Sequence, residues 1–168
     1  MAKSSLNAEM TTFDPKMGLN QDARHHAAKA LGHVLADSYQ LYIKTQGVHW
    51  NLAGPSFYSL HKLTEAQYRD LADAIDAVAE RIRALGEHAP ASYTTYGELA
   101  QIRDEDRPQS TAAMVDMLVR DNRTMAATLR EAIHVADAAD DIVTVDMLTA
   151  RLKHHEENAW MLGMHTAE

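Results

Sequence analysis

A chain of 168 residues with 46% hydrophobic and 24% charged side chains has the apolar volume for one packed domain and excludes global disorder. Sixteen Lys and Arg against 24 Asp and Glu give a net charge of −8, which disfavours a nonspecific grip on DNA by the folded body. The absence of Cys excludes disulfides, thiolate zinc sites, iron–sulfur clusters and Cys nucleophiles. Residues 1–19 mix Ser, Thr, Asn, Pro and Gly without periodicity and are predicted to form a flexible tail, in which Lys3 and Lys16 are balanced by Glu9 and Asp14. They carry no apolar signal region, and no run of about 18 apolar residues follows to span a membrane, so the expected location is the cytoplasm.

Asn20 is expected to cap the first helix, with Asp22 in its first turn, where a carboxylate suits the helix dipole. Leu31, Val34, Leu35, Ser38, Leu41, Tyr42, Thr45 and Val48 then recur at three- and four-residue steps up to Trp50. Gly54 and Pro55 break the pattern, and Ser56 is expected to cap a second helix over residues 57–85. Its stripe is Leu60, Leu63, Gln67, Leu71, Ala74, Val78, Ile82 and Leu85, with Gly86 as its stop. The connection over 87–108 is long for a structureless loop, so a short helix over 94–102 is expected inside it. A third helix over 110–136 turns Met114, Leu118, Met125, Leu129 and Ile133 inward. After a turn at 137–141, a fourth over 141–164 does the same with Val145, Leu148, Leu152, His155, Ala159 and Leu162. Residues 165–168 form a short C-terminal tail. Short-long-short connections predict an all-α domain over 20–164, a four-helix bundle with a short helix in the crossover between helices two and three. A solenoid or two separate helical hairpins is the competing arrangement of the same periodicity.

The chemistry-bearing residues are His49 at the end of helix one, and His61, Glu65, Asp76 and Glu80 on helix two. Singly, such carboxylates belong to an ordinary solvated face beside cations such as Arg83. Together they point one way: with Leu60 as zero and about 100° per residue, the four on helix two lie between roughly 100° and 200°, opposite the Leu60, Leu71, Val78 and Leu85 stripe. His61 and Asp76 stand about 22 Å apart along a straight helix, too far to share one metal ion. Two antiparallel copies of the helix can bring the His61/Glu65 end of one to the Asp76/Glu80 end of the other, giving two equivalent sites about a two-fold axis. His49, returned by the Gly54-Pro55 connection, completes a set of two imidazoles and three carboxylates. That mixed N/O set suits Fe(II) or Mn(II), with Zn as a competitor.

At these residues the sequence resembles the Dps family, the mini-ferritins also called DNA-binding proteins from starved cells. The resemblance rests on His49-Trp-Asn-Leu-Ala-Gly-Pro-Ser-Phe57, Leu60-His61, Asp76 and Ala79-Glu-Arg-Ile-Arg-Ala-Leu-Gly86, and the helix pattern extends it over 20–164. It implies a ferritin-like bundle and a hollow homo-dodecamer assembled from antiparallel dimers. It implies a ferroxidase that oxidises Fe(II) to Fe(III), preferring hydrogen peroxide to oxygen, and stores ferric mineral against oxidative damage. His49, His61 and Glu65 would come from one subunit and Asp76 and Glu80 from its neighbour, around as many as two irons per site, with Glu65 acting on the second iron or through water. Trp50 matches the tryptophan that scavenges radicals beside the site, and interface packing is its other reading. Trp160 reads as core or interface, and the His25/His26 and His154/His155 pairs as surface or packing residues. Glu131, Asp137, Asp140 and Asp141 are candidates for an acidic entry pore. The competing function is a nucleoid-associated, DNA-protecting protein with iron oxidation secondary. Both termini lack the basic clusters of DNA-binding tails, so any DNA binding is expected to be weak or acid-dependent.

Overall fold

The computed structural model describes residues 15–105 and 109–165. Five helices follow in order: α1 Gln21–Asn51, α2 Phe57–Ala84, α3 Tyr93–Leu99, α4 Thr111–Ala138 and α5 Ile142–Gly163. Helix α1 packs along α2 and α4, α4 pairs with α5, and the short α3 of the crossover lies against α1. This is the expected bundle, and α3 falls within a residue of its predicted start but ends three residues early. Of the predicted tails, residues 1–14 and 166–168 lie outside the described residues, while Met17 and Leu19 rest half-buried against the core.

The helix ends explain the boundaries. Asn20 accepts from the Ala23 backbone N–H at 2.8 Å, as its residue type predicts. Ser56 does not cap α2 through its side chain, because its ψ of 8° already turns the backbone away from the extended geometry a capping hydroxyl needs. After α2, Gly86 adopts φ +90°, and the Gly86 and Glu87 N–H groups close onto Arg83 and Ile82 carbonyls. Asp140 does the same after α4 at φ +56°, with Asp140 and Asp141 donating to Asp137 and Ala136. Asp141 then caps α5 and pairs with Arg81 at 2.6 Å while 2% exposed, which removes it from the predicted pore residues. The expected inward stripes form the core, with Leu31, Leu35, Leu118, Leu129, Leu148 and Leu162 inaccessible. Trp160, at 62% exposed, is not core within the chain.

Inside this apolar stack sit polar groups that periodicity did not announce. Asp37 is inaccessible and accepts from the Gln101 and Ile102 N–H groups at 2.7 and 2.9 Å and from Thr128 at 2.7 Å, tying the crossover and α4 to α1. Lys44 and Asp121 form a buried pair, and Lys44 also donates to the Arg103 carbonyl. His155 Nδ1 meets Asn122 Oδ1 at 2.9 Å in the α4–α5 seam. The α2–α5 seam is joined mainly by charge, through Arg81 with Asp141 and through a two-point Arg151–Asp70 contact at 3.0 and 2.7 Å. Burial works against ionisation of Asp70, but its hydrogen bond to Arg151 and that residue's charge prevail and hold the carboxyl below its ordinary range.

Two expectations follow. Asp37→Ala orphans two backbone donors of the crossover and should cost about 2–4 kcal/mol in urea unfolding. The second concerns pH. Burial, aided by the Arg151 charge, pushes His155 down to about 3 from 6.5. The folded chain therefore keeps His155 neutral while the unfolded chain takes up a proton, so stability is full above pH 6.5 and falls as pH drops toward 3. By pH 5 this amounts to about 2 kcal/mol. Unfolding midpoints measured at pH 7 and pH 5 should differ by correspondingly less in His155→Gln than in the parent.

Candidate metal centre

The chain returns from α1 to α2 through residues 52–56, where Gly54 takes φ +95° and its carbonyl accepts from the Phe57 N–H at 3.0 Å. Thr111, at the start of α4, holds this loop at both polar groups of Ala53, at 2.9 and 3.2 Å. The result sets His49, 8% exposed, against His61 with ring centroids 3.8 Å apart and planes inclined by 17°.

Their backbone contacts are reciprocal. His49 Nδ1 lies 3.0 Å from the His61 carbonyl, and His61 Nδ1 lies 3.1 Å from the His49 carbonyl. A carbonyl oxygen can only accept, so in both rings Nδ1 carries the proton and donates. This leaves Nε2 as the ring atom through which each imidazole could ligate a cation. Thr64 Oγ1 stands 3.4 Å from His49 Nδ1, Tyr68 meets the His49 ring edge-on at 5.2 Å, and Phe57 stacks on His61 at 5.0 Å. The two rings thus have three further neighbours that a sequence search for ligands does not flag; Thr64, Tyr68 and Phe57 could be found only from their helical offset to His61.

Glu65 lies one turn beyond His61 on α2, paired with Lys62 at 2.9 Å and Arg69 at 2.7 Å. The Lys62 hydrogen bond holds the Glu65 carboxyl below its ordinary range and raises Lys62 in turn. Asp76 and Glu80 are exposed on the same helix, with no ion-pair or hydrogen-bond partner among the described residues. The five predicted residues thus do not converge within one chain. Among the described residues of a single chain, no group of three His or carboxylate side chains is placed to hold a metal ion. Phe57, against His61, and the sequence-adjacent Trp50 and Tyr58 are exposed aromatics, Trp50 at 68%.

Helix α4 carries one further motif. Glu131-Ala-Ile-His134 has the Glu-x-x-His spacing of bundles that house two irons inside one monomer. It is the only such pair in the sequence, and both residues are exposed on α4, so the two inward-facing copies that such a centre requires are not present.

Known proteins share this fold. Residues 28–168 match the model of the ferritin-like domain. A low temperature-induced protein of Nostoc sp. is 40% identical over 149 residues, 87% of this chain and 83% of that protein. The DNA protection during starvation protein of Brevibacillus brevis is 36% identical over 135 residues, 80% of this chain and 91% of its own. Among solved structures, a Dps protein from Vibrio cholerae O1 superposes with a TM-score of 0.86 at 27% identity, covering 95% of this chain and all of that one. That protein is described as a member of a broad superfamily of ferritin-like diiron-carboxylate proteins. No helix among the described residues is long and apolar enough to cross a membrane.

Proposed function

The chain belongs to the Dps family of ferritin-like proteins, and on that premise we propose that it oxidises Fe(II) at sites shared between two subunits and stores the ferric product in a hollow homo-oligomer. The observation that carries this reading is the His49–His61 pair, two stacked imidazoles pinned at Nδ1 with Nε2 left to ligate. Glu65 of the same subunit and the partner subunit's Asp76 and Glu80 supply the negative charge. The residue spacing favours this pairing: His61 with the partner's Glu80 and Glu65 with the partner's Asp76 are both centred midway between residues 70 and 71 of α2. One two-fold axis beside that point therefore aligns both pairs at once. Small Ala66 and Ala72 on the exposed face of α2 let the two helices approach.

Two Fe(II) ions held together give hydrogen peroxide both electrons it needs to become water: two Fe(II), one peroxide and two protons yield two Fe(III) and two waters. A single Fe(II) would supply one electron and release hydroxyl radical. The protein's residues serve as donors that bind, neutralise and place the irons, and none is asked to move a proton between substrates. Trp50, exposed beside His49, is assigned to the subunit interface and to trapping a stray radical there. Twelve copies of 18.7 kDa would make an assembly of about 224 kDa. DNA is protected because Fe(II) and peroxide are removed, which requires no contact with DNA. Direct binding is disfavoured, since twelve copies at −8 carry −96.

Subunit complementation tests the shared site. A dimer pairing a His61→Ala chain with an Asp76→Ala chain places both lesions in one site and leaves the other whole. It should keep about half of the fast-reacting Fe(II) capacity, the value two independent sites on one two-fold axis require. Either variant alone should lose the intact site, and a mixed dimer with no active site would point to ligands gathered within one chain. For DNA, a gel shift at about 150 mM salt should show no retarded band near neutral pH, where a protein relying on phosphate contacts would be detected.

A further inference from the structure

Between α1 and α4 a groove of about 600 Å3 stands open, lined among others by His26, Lys29, Ala30, His33, Ala132 and Val135. Val135, 36% exposed, presents apolar surface to water there, and Ala30 is half-buried. Lys29 is exposed, with no ion-pair or hydrogen-bond partner among the described residues. The chain approaches α1 through a bend at Met17 and Gly18, with left-handed angles of φ +45° at Lys16 and φ +87° at Gly18. Met17 and Leu19 pack against the core, and Arg24 donates to the Leu19 carbonyl at 3.1 Å. The segment before α1 therefore starts from a point anchored on the bundle. From the first residue of α1, His26 is five residues away, or about 8 Å.

The polar composition of residues 1–19 conceals an apolar recurrence. Leu6, Met10 and Phe13 stand four and three residues apart, which is one stripe of a helix. Asp14-Pro15 would end such a helix, because the residue before a proline is driven toward extended backbone. We propose that residues 6–13, which lie outside the described residues, cover the α1–α4 groove of their own chain as two helical turns. Leu6, Met10 and Phe13 face into it. The lengths agree: Leu6 to Phe13 and His26 to His33 are both seven residue steps, about 10 Å along a helix. A return from the bend runs the segment antiparallel to α1, with Phe13 toward His26 and Leu6 toward His33. That register brings Glu9 to the level of Lys29 and Ala30, and so offers the unpartnered cation a carboxylate. The same chain is favoured over a second copy as the donor, because its segment is tethered only a few residues from the groove. The inference is independent of the metal-centre reading.

The chain contains no Cys, so an introduced pair reports the contact without background. In the assembled full-length protein under mild oxidation, Met10→Cys/Val135→Cys should form a disulfide. It should do so about tenfold faster than Ala8→Cys/Val135→Cys, since bridging needs closely facing Cβ atoms. Ala8 has nearly the same tether but lies on the opposite side of the stripe, so a free tail would link both pairs alike. The link should lie within one chain, and the denatured, unreduced product should keep the mass of a single chain. Adding Leu6→Ser/Phe13→Ser should bring the two rates within about twofold, the behaviour of an undocked tether. In the chain without introduced Cys, cleavage after Glu9 by a glutamate-specific protease, read by mass, should be about tenfold slower than in Leu6→Ser/Phe13→Ser. Equal linking of the two Cys pairs or equal cleavage after Glu9 would overturn the proposal, because the tail would then be free. A product of two linked chains would overturn it as well, by assigning the groove to a neighbouring copy.

Discussion

Helix α2 is a rod of 28 residues, and along a rod fifteen residues correspond to about 22 Å. His61 and Asp76 cannot be reconciled by any rotamer within one chain, because no side chain spans that distance. The bundle adds to the constraint by packing the Leu60, Leu71 and Val78 side of α2 inward, which commits the opposite side, and every proposed ligand on it, to the surface. The proposed ligand set on α2, split along the helix and palindromic about its middle, would be complete only against a second copy. In this sense the fold decides where the chemistry occurs before any ligand is considered.

What the fold must then supply is rigidity at one end of α2, and it does so by spending polar groups elsewhere. The loop before α2 is held by Thr111 of α4, and α4 is held to α1 by Asp37 through Thr128 and by the Lys44–Asp121 pair. Each buried polar group would be costly alone. Joined as they are, they fix the register of helices whose apolar stripes would tolerate sliding. The imidazole pair inherits that register, because its two hydrogen bonds run from α1 to α2 and back. Preorganisation of the rings thus depends on contacts well removed from them.

The four long helices were legible because three- and four-residue apolar recurrence is a local signal, and Asn20, Gly54 and Gly86 mark their ends by residue type. Ser56 misled because a capping residue type does not guarantee a capping backbone angle. His49 and His61 stood out through their spacing around a turn, and the split of α2 followed from arithmetic on residue numbers. Asp37, Lys44 and Asp121 were not legible: the partners that tie them across the bundle lie 59 to 91 residues away, and a lone charge inside an amphipathic pattern looks like an ordinary surface position. The engagement of Glu65 was readable in principle, since Lys62 and Arg69 sit at the offsets where helix neighbours meet. It was hidden by treating Glu65 only as a ligand.

The histidines show how one anchoring device serves different ends. In His33, His49, His61 and His155 the Nδ1 atom faces an oxygen, respectively the Leu99, His61 and His49 carbonyls and Asn122 Oδ1. Each ring is thereby oriented, and the function of each depends on where its Nε2 is left. In His155 it is sealed in the core without a partner, so the ring can only stay neutral and contribute packing. His33 is half-buried on α1, and among the described residues no ring stacks on it. Only the reciprocal bonds of His49 and His61 set two rings face to face at the edge of an open surface. The same hydrogen bond that makes one histidine a core residue orients this pair as half of the proposed metal centre, and the difference lies in the pairing rather than in the residue.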